Sequence, residues 1–109
     1  MDELYRLKEI LESKIKKTSN DIHESHNKAY NDSLQNEIHT LEWVLGCIRK
    51  KVQTDKLEVI VQDKITDLTI RMNKAIHRED TDFLFTKLET LKWVLYVIHS
   101  IEKGFLIVV

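Results

Sequence analysis

The side chains best suited to chemistry are three histidines, one cysteine and a scatter of cations. His23 and His26 stand three apart, and His39 falls where a helical hairpin would bring it level with them. Imidazoles grouped in this way suit a transition metal. Fifty residues further on, however, the same positions hold Asn73, Ile76 and Glu89, and no carboxylate or thiol is fixed by spacing as a further ligand. Solvated histidines, and no metal or other cofactor, are the expectation. Cys47 has no histidine placed to activate it as a nucleophile. Lys14, Lys16 and Lys17 lie on the first arm of a hairpin whose second arm ends in Arg49, Lys50 and Lys51. Brought together, Lys14, Lys17, Arg49, Lys50 and Lys51 would accept a phosphate or an acidic partner. Cations near a helix C-terminus are also favoured by the helix dipole alone.

Known catalytic signatures are missing. There is no G-x-x-x-x-G-K-[ST], G-x-G-x-x-G, H-E-x-x-H or G-x-S-x-G, and none of the clustered carboxylates by which small helical pyrophosphohydrolases hold Mg²⁺. The expectation is a protein that is not an enzyme. Formal net charge is −1, and the halves balance separately: nine basic against nine acidic groups in residues 1–52, eight against nine in 53–109. A duplex-binding surface normally carries an excess of Lys and Arg, so no nucleic-acid partner is expected. A single cysteine, a charged N-terminus without a signal-peptide core, and no apolar run of membrane-spanning length point to a cytoplasmic protein with no membrane role.

These side chains must be positioned by helices. No proline, two glycines and 32% charged residues over 109 positions describe one mostly helical domain. The chain repeats itself: Thr40-Leu41-Glu42-Trp43-Val44-Leu45 returns as Thr90-Leu91-Lys92-Trp93-Val94-Leu95. The same shift of fifty pairs Leu7 with Leu57, Lys14 with Lys64, Ile15 with Ile65, Asp32 with Asp82 and Leu34 with Leu84. Repeat one covers about 4–52, repeat two about 54–102, and an apolar tail follows at 104–109.

Apolar spacing predicts a first helix from Asp2 to about Tyr30, a turn at Asn31–Ser33 and a second helix to Val52. Asp55, with Glu58 three residues on, resembles a capping box and predicts a third helix start. A turn at Arg78–Asp82 then leads into a fourth helix ending near Lys103, with Gly104 as a left-handed cap. No glycine or proline interrupts 47–56, which leaves one continuous helix there as the alternative. The expected fold class is all-α: a tandemly duplicated αα-hairpin closing into an antiparallel four-helix bundle.

On a helical wheel with Leu41 at zero, Leu34, Ile38, Leu45, Ile48 and Val52 fall within about 60° of it, while Trp43 lies about 160° away beside Cys47. Trp93 has the same offset, sharing its face with Phe83 and Val97, with Tyr96 flanking. A bundle helix buries one broad stripe, so a tryptophan opposite it needs another surface. That surface is expected to be a second copy or a partner protein. In the alternative, helices two and four are central and apolar on two sides. The expected partner-contacting residues are Trp43, Cys47, Phe83, Trp93, Tyr96 and Val97, with Phe105 and Leu106 of the tail, which needs somewhere to dock. Several exposed positions exchange sign between repeats, among them Lys8/Glu58, Glu37/Lys87 and Glu42/Lys92. Such exchange would let hairpins pair without self-repulsion, or it is drift on a solvated face.

The segment Glu37–Leu45, echoed at Leu88–Leu95, resembles a helix of small accessory proteins of phages and mobile elements in low-GC bacteria. The resemblance implies a protein that binds host factors and inhibits or modulates them, defence proteins included, and it transfers no site residue. Two functions are therefore expected in competition. One is a non-enzymatic, oligomer-forming protein-binding module. The other is a sequestering protein that holds a small anionic ligand, such as a nucleotide signal, at a subunit junction.

Overall fold

The computed structural model describes residues 3–50 and 53–104, apart from the side chains of Thr54, Arg78 and Glu79. Lys51 and the tail residues Phe105 and Leu106 lie outside the described residues. Four helices account for the fold: α1 (Glu3–Glu24), α2 (Lys28–Arg49), α3 (Thr54–Lys74) and α4 (Arg78–Glu102). The protein is an all-α four-helix bundle built from two αα-hairpins. No helix of the described residues is long and apolar enough to cross a membrane.

Both hairpin turns come earlier than the Asn/Asp-rich segments suggest. The first is Ser25–Asn27, where Asn27 adopts extended backbone and its Oδ1 accepts from the Tyr30 N–H at 3.0 Å. Ser25 Oγ accepts from the Asn27 N–H, and Asn31 Nδ2 donates to the Ser25 carbonyl. Asn31 thus braces the turn from inside α2 instead of capping it. The second turn, at 75–77, lies fifty residues on. His77 occupies the N-cap there and offers no side-chain hydrogen bond. Asp80 and Thr81 fall inside the first turn of α4, and Thr81 Oγ1 donates back to the His77 carbonyl.

Helices α2 and α3 are separate. Lys50 closes α2 through its N–H, bonded to Cys47 and Ile48 carbonyls, and Gln53 is extended at φ −67° and ψ 155°. Asp55 is therefore a first-turn carboxylate placed for the helix dipole, and the cap position belongs to Gln53. Gly104 has φ 78° and its N–H bonds to the Ile101 carbonyl, the left-handed termination expected of it.

Within each hairpin the leading stripe is buried: Leu7 and Leu11 against Leu41 and Val44, Leu57 and Val61 against Leu91 and Val94. Each such side chain contributes about 1.5–3 kcal/mol by leaving water. The hairpins then join through α2 and α4, which lie side by side at the centre, with α1 and α3 on the outside.

Candidate functional site

The central pair explains the tryptophans. On α2 a second stripe runs Asn36, Thr40, Trp43, Cys47, spaced four, three and four; on α4 it runs Thr86, Thr90, Trp93, Val97. Thr40 and Thr90 are buried, and each hydroxyl donates back into its own helix, to Asn36 O at 2.9 Å and to Thr86 O at 2.8 Å. With their polar groups satisfied, these small side chains let the two helices approach. Val97 is fully buried. The surface that covers this second stripe is the other hairpin of the same chain.

Lysines complete the cover reciprocally. Lys14 Nζ of the first hairpin lies 5.6 Å from the centroid of Trp93, and Lys64 Nζ of the second lies 5.7 Å from that of Trp43. Lys14 and Lys64 are themselves repeat equivalents, as are the tryptophans, so the two hairpins are related by an approximate twofold. An ammonium over an indole contributes about 0.5–1 kcal/mol where exposed. Trp93 packs partly into the core, whereas Trp43 remains 39% exposed. Of the two rings, Trp93 is thus turned into the seam, while Trp43 keeps an open face. Among the described residues of that expected set, Val97 is core, Trp93 and Cys47 are half-buried in the seam, and Trp43, Phe83 and Tyr96 keep substantial open surface.

Of the expected cation cluster, Lys14 and Lys17 stand apart from Arg49 and Lys50 among the described residues. Lys14 Nζ pairs with Glu37 Oε1 at 3.7 Å, and Thr18 Oγ1 donates to the same carboxylate at 3.5 Å. This register sets Lys14 and Lys17 beside the middle of α2, about 18 Å along the helix from Arg49 and Lys50. The sign-exchanged positions do not bridge the hairpins either. Among the described residues, the ion pairs are local (Lys8–Glu12, Arg71–Asp67, Lys92–Glu89) or lie within one hairpin (Lys14–Glu37 and His99–Glu58). The histidines do not converge: His39 shares a hydrogen bond with Gln35 on its own helix. No three His, Cys, Asp or Glu side chains among the described residues are grouped to hold a metal.

At the N-terminal ends of α2 and α4 the seam opens. A groove of about 770 Å³ is lined there by Asp32, Ser33 and Asn36 of one helix and Asp82, Phe83, Phe85 and Thr86 of the other. The lining includes repeat equivalents, Asp32 with Asp82 and Asn36 with Thr86, because the groove straddles the approximate twofold. Phe83 and Phe85 are 51% and 53% exposed. Tyr30 and Ile76, beside the two turns, are exposed at the same end.

Asn36 ties the groove together. It is 4% exposed, and its Nδ2 donates to the Phe83 carbonyl at 2.8 Å, which fixes the amide's orientation. Its Oδ1 is buried with no hydrogen-bond partner. Such an orphaned acceptor costs about 1–3 kcal/mol. The helical wheel places Asn36 on the tryptophan stripe, four residues before Thr40, and that spacing was the signal for it; Phe85 and Ser33 carry no such mark. A second, shallower hollow of about 470 Å³ lies on the C-terminal half of α4 around Leu95, Tyr96 and His99. Compared with known proteins, the chain matches no family model, and neither the curated proteins nor the solved structures give a match.

Proposed function

We propose that the protein is a non-enzymatic binding module that receives a protein partner at the open end of the α2–α4 seam. The observation that carries this reading is the pair of half-exposed rings, Phe83 and Phe85, beside a groove with a buried unsatisfied acceptor. Aromatic side chains dominate interface energetics because each removes a large rigid apolar area from water, and hot spots sit in such pockets. Phe83 was among the residues expected to contact a partner, and the groove gives it Phe85 and Asn36 as companions, with Tyr30 and Ile76 exposed at the same end. The likeness of Glu37–Leu45 to helices of phage and mobile-element accessory proteins supports looking for that partner among host proteins that such a module would inhibit or modulate. A second copy of the chain is the competing occupant.

The test replaces both rings, Phe83→Ser with Phe85→Ser. Both are half in water already, so the helical circular-dichroism spectrum should be retained, while capture of the partner from host extract should fall by about tenfold or more. Light scattering on the same pair of proteins separates a foreign partner from self-association. Partner capture and molecular mass both unchanged in the double variant would sink the proposal.

A further inference from the structure

We propose that the groove recognises an arginine side chain presented by the partner protein. This inference rests on the groove being the binding face, and it names the chemistry that the face selects. Polar groups in the lining are weighted towards acceptors. Asp32 and Asp82 bring a carboxylate from each hairpin, and Asn36 brings a buried Oδ1 with nothing bound to it. Two of the donors nearby are already engaged, Asn36 Nδ2 on the Phe83 carbonyl and Thr86 Oγ1 on the Asp82 carbonyl. None of the described residues lining the groove is a Lys, Arg or His. The two exposed carboxylates, Asp32 and Asp82, favour a guest that carries N–H donors and a positive charge.

The aromatic lining refines the choice. Cations sit favourably over phenyl faces, and this protein already places one there: Lys87 Nζ lies 4.7 Å from the Phe83 centroid. A guanidinium is planar, with five N–H donors around its edge and a flat face that stacks on a ring. It can meet carboxylates with its edge while its plane covers Phe85. An alkylammonium has only three donors at a point and a stronger hydration shell, so it fits this arrangement less well. Free polyamines carry ammonium groups joined by thin methylene spacers, which cover Phe83 and Phe85 less fully than an apolar side chain does. A protein-borne arginine with an adjacent apolar residue supplies both.

The experiment titrates isotope-labelled full-length protein with acetyl-Arg-Leu amide, following backbone amide shifts, against the same peptide carrying citrulline, the neutral isostere of arginine. Spermidine is the third ligand. The arginine peptide should move amides confined to residues 32–36 and 82–86, and the citrulline peptide should bind at least about tenfold more weakly. Asp32→Asn with Asp82→Asn, isosteric changes at exposed positions, should weaken the arginine peptide by a similar factor while the spectrum stays folded. Equal binding of arginine and citrulline, shifts scattered over the surface, no groove shifts at all, or spermidine binding as well as the peptide would each overturn the assignment. If the phenylalanine double variant loses its protein partner while the aspartate double variant keeps it, the arginine assignment fails and the binding module stands. If the arginine peptide occupies the groove but no captured protein depends on the two rings, the groove's choice of arginine stands and its presentation by a protein partner fails.

Discussion

A buried primary amide has two N–H donors and an acceptor to satisfy, and Asn36 satisfies one donor only, on the Phe83 carbonyl. That carbonyl lies inside α4, where the helix supplies its own donor, so the bond is an addition and not a necessity. Removing it forfeits about 0.5–1.5 kcal/mol, while removing the orphaned Oδ1 recovers about 1–3 kcal/mol. Asn36→Leu, which keeps the branching of the side chain, should therefore leave the protein as stable as before or more stable by about 1 kcal/mol, read by urea unfolding. A residue that costs stability where it stands is what a binding groove requires. Destabilisation by more than about 1 kcal/mol would make Asn36 a structural tie and remove it from the site. By contrast Thr18, equally buried, sits opposite Glu37, and its repeat equivalent is Leu68; it marks where the first hairpin is more polar along its seam.

Helices show where sequence pattern decides and where it leaves a choice. The leucine and isoleucine stripes located all four helices, because period and length are strong signals. The turns were misplaced because Asn27 and the run Asn31–Ser33 are equally good caps, and nothing local separates them. Tertiary packing makes the choice, and it makes the same one in both repeats. Only the first repeat has a capping side chain, however; His77 stands where Asn27 does. His77→Asn should supply the missing bond and stabilise by about 1 kcal/mol, visible as a raised Tm. A fall in Tm would mean that His77 is held by something other than its cap role. Gly46 offers a second check within one helix. A Cβ built there meets nothing within 4 Å, so Gly46→Ala gains helix propensity without a clash. Stabilisation by about 1 kcal/mol is expected in denaturant unfolding, and no gain would show that the site does not tolerate even a methyl group.

At the scale of the whole molecule, the wheel located the tryptophan stripe correctly but could not say which neighbour would cover it. A periodicity reports that a face is apolar, not whose surface meets it. The answer came from the repeat itself. Trp43 with Lys64 and Trp93 with Lys14 are one contact made twice across the approximate twofold, so each hairpin finishes the other. Neither hairpin then has an independent core: Val97, buried to zero exposure, belongs to the second stripe of α4 and shares a single cluster with Leu7 and Leu41 of the first hairpin. The bundle should unfold as one unit. Val97→Ala should cost about 2 kcal/mol. Native-state hydrogen exchange should show that loss equally in the slowest amides of α2 and α4, although the substitution is in α4 alone. Protection that falls in α4 and stays unchanged in α2 would mean that the hairpins open separately. The groove would then close one hinged joint between two units, and the partner would select among their relative positions instead of meeting a face already built.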